Sequence, residues 1–124
     1  MAEEITINPS MRMANGNVGA NAEIPNYTVD QTTAKFMKSI QTVGFAAHEA
    51  LSFGDVTSPG YVTIYNNDDE NSVDVGKDNA GVFDPSFTIP PGESFGPAKI
   101  KSGQVIYLQA STADVDVVNT IFST

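Results

Sequence analysis

Tyr61-Val62-Thr63-Ile64-Tyr65 alternates apolar and polar faces and runs straight into Asn66-Asn67-Asp68-Asp69-Glu70-Asn71. A period-2 run that stops at a cluster of Asn and Asp is a strand followed by a turn. The pattern then repeats. Phe87-Thr88-Ile89 meets Pro90-Pro91-Gly92-Glu93, and Val105-Ile106-Tyr107-Leu108 and Val115-Asp116-Val117-Val118 follow. Short strands separated by roughly ten residues with turn signals between them predict an all-β domain. The architecture expected is a single β-sandwich or jelly-roll-like barrel.

Outward from this half the signals thin. Glycines and turn residues place larger loops at Gly76 to Gly81 and at Gly92 to Pro97. His48-Glu49-Ala50-Leu51-Ser52-Phe53 is a further candidate strand. In residues 32–45 two periodicities compete. Ala34, Phe36, Met37, Ile40 and Val43 fit a helix face, whereas Phe36, Lys38, Ile40 and Thr42 share one side of a strand. The β character on either side favours a strand from Thr33 or Ala34 to Val43. Residues 1–26 form either an extended arm or edge strands. Ile5 and Ile7 alternate with Glu4 and Thr6, and Met11 and Met13 repeat that spacing before a hairpin turn at Asn15-Gly16. With no internal repeat and no low-complexity linker, residues 1–124 are read as one domain.

Composition narrows the chemistry. A chain of 124 residues buries roughly two-thirds of its unfolded surface, enough to fold without a staple. The absence of cysteine excludes disulfides, thiol catalysis and thiolate-ligated metals within this sequence. The net charge of −9, from 15 acids and 6 bases, repels phosphate backbones and anionic membranes. The bases Arg12, Lys35, Lys38, Lys77, Lys99 and Lys101 are scattered, so no nucleic-acid partner is expected. No apolar run approaches the ~20 residues that span a bilayer, and Met1-Ala2-Glu3-Glu4 is acidic where a secretory leader is basic. Synthesis in the cytoplasm without membrane attachment is the expectation.

No constellation reads as an active site, and neither a cofactor nor a metal is expected. His48 is the sole histidine, and no Gly-x-Ser-x-Gly frame accompanies it. Asp68, Asp69, Glu70, Asp74 and Asp78 are the densest acids. They suit a calcium loop by oxygen count, or a carboxylate pair for hydrolysis, but lack the EF-hand order. A polar turn whose side chains satisfy their own backbone is the simpler reading. The aromatic pair Tyr61 and Tyr65 shares one strand face, suited to packing, to a subunit contact or to a sugar.

Several segments together resemble small virion proteins of tailed bacteriophages. They are Ile5-Thr6-Ile7-Asn8 to Asn15-Gly16, Glu49-Ala50-Leu51 through Gly54-Asp55-Val56 into Gly60 to Asp68, Ile89-Pro90-Pro91-Gly92-Glu93, Ile106 to Ala110, and the terminal strand Val115 to Phe122. The resemblance covers most of the chain. It implies a capsid decoration, or cement, protein without catalytic residues, bound to the outer capsid surface of the virion. Its implied partners are the major capsid protein and itself, as a homodimer or homotrimer. The contact residues expected are Ile5, Ile7, Met11 and Met13 in the N-terminal region, and Tyr61 and Tyr65 on the aromatic face. A tail-associated or fibre-like module that binds cell-surface glycan is the alternative.

Overall fold

Alternation in the decisive strand resolves into two environments: Val62, Ile64 and Asn66 are buried, while Tyr61, Thr63 and Tyr65 face the other way. The computed structural model describes residues 4–32 and 34–124. Those residues form twelve strands and no helix. In chain order they are β1 (Glu4–Ile7), β2 (Arg12–Asn15), β3 (Val18–Asn21), β4 (Tyr27–Asp30), β5 (Phe36–Val43) and β6 (Glu49–Ala50). There follow β7 (Pro59–Asn66), β8 (Val73–Asn79), β9 (Val82–Ile89), β10 (Ser94–Lys99), β11 (Tyr107–Ala110) and β12 (Val115–Ser123).

Two four-stranded antiparallel sheets carry the fold, in the orders β10-β7-β12-β5 and β6-β11-β8-β9. They pack face to face as an open sandwich and do not close into a barrel. The core between them comes from alternate residues. Val43, Val62, Ile64, Val115, Val117 and Ile121 stand on one sheet, and Val73, Val75, Ile89, Leu108 and Ala110 on the other. Full burial of each large aliphatic side chain is worth ~1.5–3 kcal/mol. The last strand is central because β12 has neighbours on both sides, β5 and β7.

Residues 34–45 resolve in favour of the strand. Phe36, Lys38, Ile40 and Thr42 all point outward, while Met37, Ser39, Gln41 and Val43 turn inward. Thr33, one of the two expected starts, lies outside the described residues. The expected strand at His48–Phe53 shrinks to Glu49–Ala50, because only these two residues pair with β11. The expected loops at 76–81 and 92–97 are corrected: both are largely strand. Gly76 to Asn79 continue β8 and pair with Pro85 to Val82, leaving only Ala80-Gly81 as the turn. Their polar side chains project beyond the core and carry no hydrophobic alternation. Ser94 to Lys99 form β10 around a register shift between Phe95 and Ala98. Gly76 is required where it stands, because a Cβ there would collide with the Asp84 carbonyl and the Pro85 backbone.

The N-terminal segment is both edge strand and hairpin. β1 pairs with β4, and β2 pairs with β3 across Gly16-Asn17. Gly16 takes the left-handed φ of 60° that such a tight turn demands.

Asn66 joins the turns at one end of the sandwich. Its side chain is wholly buried. Nδ2 donates to the Asn71 and Ile89 carbonyls, both at 2.9 Å, and Oδ1 accepts from the Asp68 amide at 2.9 Å. Its own backbone receives Gly92 N–H and donates to the Glu93 carbonyl. The Asn66→Asp substitution would set a carboxylate against two carbonyl oxygens. Urea unfolding at neutral pH is expected to show a loss of about 2–4 kcal/mol. That loss should shrink on acidification. Burial raises the folded pKa of the new acid above its unfolded value, so its penalty grows as pH rises. A pH-independent deficit would contradict this account.

Candidate interaction surface

Three acidic residues in the 66–78 region, Asp68, Asp74 and Asp78, accept hydrogen bonds from nearby turns or the paired strand. Asp68 Oδ2 accepts the Asn71 and Glu70 amides, closing the loop after β7. Hydrogen bonding from the Asn71 backbone amide, above all, lowers the Asp68 pKa from its ordinary 3.8. Asp74 accepts the Thr88 hydroxyl across the β8–β9 pair. Asp78 accepts the Gly81 amide at 2.9 Å and faces His48 Nε2 at 3.2 Å. Among the described residues no three His, Asp or Glu side chains converge as metal ligands.

His48 is held between rings. Phe83 stacks on it at 5.4 Å and Tyr107 meets it edge-on at 5.5 Å. This packing ties the loop before β6 to the β8–β9 hairpin.

The six expected contact residues separate into two places. Ile5 and Ile7 are buried, turned onto the outer side of the first sheet. With Tyr61, Thr63, Pro97, Thr120 and Phe122 they line a cavity of about 70 Å³. Their side chains therefore belong to the chain's own packing and not to its outer surface. Tyr61 is half-buried there, with Lys99 Nζ 5.8 Å from its ring centre. Tyr65, farther along β7, remains exposed.

Met11 and Met13 stand elsewhere, on the β2–β3 hairpin. Every residue of β2 and β3 is exposed. Met13 lies opposite Ala20 and Asn15 opposite Val18, and the Ala22 amide donates to the Met11 carbonyl at 2.8 Å. Strand alternation therefore puts Met11, Met13, Val18, Ala20 and Ala22 on one face, and Arg12, Ala14, Gly19 and Asn21 on the other. Met11 is 72% exposed, Val18 61% and Met13 49%. The hairpin is amphipathic, and its apolar face touches water.

Several exposed apolar side chains lie outside the six expected contacts, among them Phe36 at 72% and Ile40 at 66% on β5. Alternation in β5 had already put them on one face. What the letters lacked was which face the sandwich would cover.

No protein-family model matches the chain, and neither a curated protein nor a solved structure matches it significantly. Fold and surface together define an open β-sandwich that carries an amphipathic hairpin outside its core.

The lowered pKa of Asp68 gives a signed pH dependence. Its stabilisation is complete above the ordinary value of 3.8 and is lost as pH falls through the lower folded value. Asp68→Asn should therefore flatten the acid limb of the urea-midpoint profile between about pH 5 and pH 2. An unchanged acid limb would show that the carboxylate does not hold the loop.

Proposed function

We propose that the chain is a non-enzymatic decoration protein of a tailed-phage capsid, which binds the outer capsid surface as a homo-oligomer and reinforces contacts between major capsid subunits. The observation that supports this reading is the β2–β3 hairpin. An isolated two-stranded hairpin is marginal in water, and this one presents Met11, Met13 and Val18 to solvent with no core beneath them. Seating that face on another protein supplies the missing layer. Methionines adapt to an irregular surface. Each side chain contributes up to ~1.5–3 kcal/mol on full burial. Repetition of weak contacts over a lattice then gives firm attachment without a large interface per copy.

The rest of the chain suits that work. The sandwich is a stable base, Asp68 and Asp78 are engaged in turns, and the surplus negative charge opposes non-specific association before assembly.

Because Ala22 and Met11 are bonded, the hairpin can be cut out at its base and residues 10 and 23 joined by a short glycine linker. The excised protein should keep wild-type unfolding of the sandwich and lose at least tenfold in affinity for undecorated capsids, a change of ~1.4 kcal/mol. Excision from Ala2 through Ala14 would confuse the result, because it also removes the buried Ile5 and Ile7. Full saturation of capsids by the hairpin-less protein would overturn the assignment of the hairpin. Counting copies in purified virions tests the wider reading: abundance comparable to the major capsid protein is expected. A few copies per particle would instead favour the tail-associated, glycan-binding module.

A further inference from the structure

The two main sheets expose four edge strands, β10, β5, β6 and β9. Three are blunted. β10 carries Pro97 and a register shift, β9 carries Pro85 beside a bulge, and β6 is two residues long. β5 has none of these devices: it is eight residues long, with no proline and unbroken register against β12. A long, regular edge without proline or bulge is a template for another strand.

The hydrogen-bond phase shows what that edge offers. Ser123 N–H donates to the Lys35 carbonyl, and Asn67 N–H to the Asp116 carbonyl. Odd residues of β12 therefore bond to β5 and even residues to β7. In an antiparallel ladder the N–H and C=O of Phe36, Lys38, Ile40 and Thr42 then point away from β12. None of these backbone groups has a partner among the described residues.

We propose that β5 pairs antiparallel with β5 of a second copy, joining the two β10-β7-β12-β5 sheets into one continuous sheet. This names the self-contact within the function proposed above and selects the dimer, but it stands on sheet geometry alone. Outward residues must face outward residues, so the two-fold axis passes through a residue position and not between two. An axis at Lys38 would oppose two ammonium groups. An axis at Ile40 sets Ile40 against its own copy and Lys38 against Thr42 of the second chain. Thr42 Oγ1 holds Asp116 Oδ1 at 2.7 Å, so the Asp116 carboxylate stands beside that position. Each copy then offers one Lys38 to the other's Asp116, on either side of a buried isoleucine pair. Two-fold pairing uses both free edges and closes at two subunits. The local charge match also supplies attraction between chains that each carry −9.

Sedimentation of the full chain tests this. The wild type should sediment as a concentration-dependent dimer. Lys38→Asp should raise the dissociation constant at least tenfold, and adding Asp116→Lys should restore it; both side chains are exposed, so the sandwich remains intact. As a second variant, Ile40→Lys should give a folded monomer by placing like charges on the axis. A wild type that stays monomeric to about 100 μM would overturn the proposal. So would a dimer or trimer indifferent to all three changes. Capsid binding through the hairpin is read separately: a monomer that still decorates capsids refutes the β5 dimer alone, and a dimer that ignores capsids refutes only the function.

Discussion

The buried side chain of Asn66 is the constraint on which the sandwich depends. Any two-layer β fold must turn its chain back at the ends of its strands, and there backbone groups lose their ladder partners. Asn66 supplies those partners from one amide. It holds the carbonyls of Asn71 and Ile89 and the amide of Asp68, so the turn after β7 and the end of β9 share one anchor. Its backbone adds the turn between β9 and β10. A leucine of similar size would fill the space and leave those groups unpaired, at a cost of about 1–3 kcal/mol each.

That anchor lets the loops be polar without being loose. Asp68 and Asn71, together with the Thr112 hydroxyl bonded to Asn71, build on it. Asp68 is thereby committed to its own loop, and exposed apolar surfaces remain among the described residues. One is the apolar face of the β2–β3 hairpin; another is the edge and outer face of β5. Both display apolar side chains on a β framework and differ in what they can accept. The hairpin offers side chains to a shaped surface, whereas β5 offers main-chain hydrogen bonds to another strand.

Much of the fold was legible in the letters. Val62, Ile64, Val115 and Val117 announced themselves by alternation, and Asn15-Gly16 announced the hairpin. What stayed hidden had physical reasons. Lys77 to Asn79 and Ser94 to Lys99 are strands that project past the core or bend at a bulge, so burial imposed no pattern on them. Ile5 and Ile7 read correctly as a strand face. That they would lie on the first sheet beside Tyr61, and so be lost to an external partner, depends on a long-range contact that no local pattern encodes. Met11 and Met13 carry the same alternation and meet no core at all. The exposure of Phe36 and Ile40 likewise depends on which face of β5 the second sheet covers, and the free edge of β5 on the strand order that sets β12 between it and β7.

Hydrogen exchange followed peptide by peptide on the free protein tests the central claim most directly, that a sandwich pinned at Asn66 carries an unsupported hairpin. The account predicts slow exchange in β7, β8 and β12 and in the turn from Asn66 to Asn71, all released together by global unfolding, with rapid exchange across residues 11–22. Protection of the hairpin equal to that of the core, or a 66–71 turn that opens independently of it, would contradict the account.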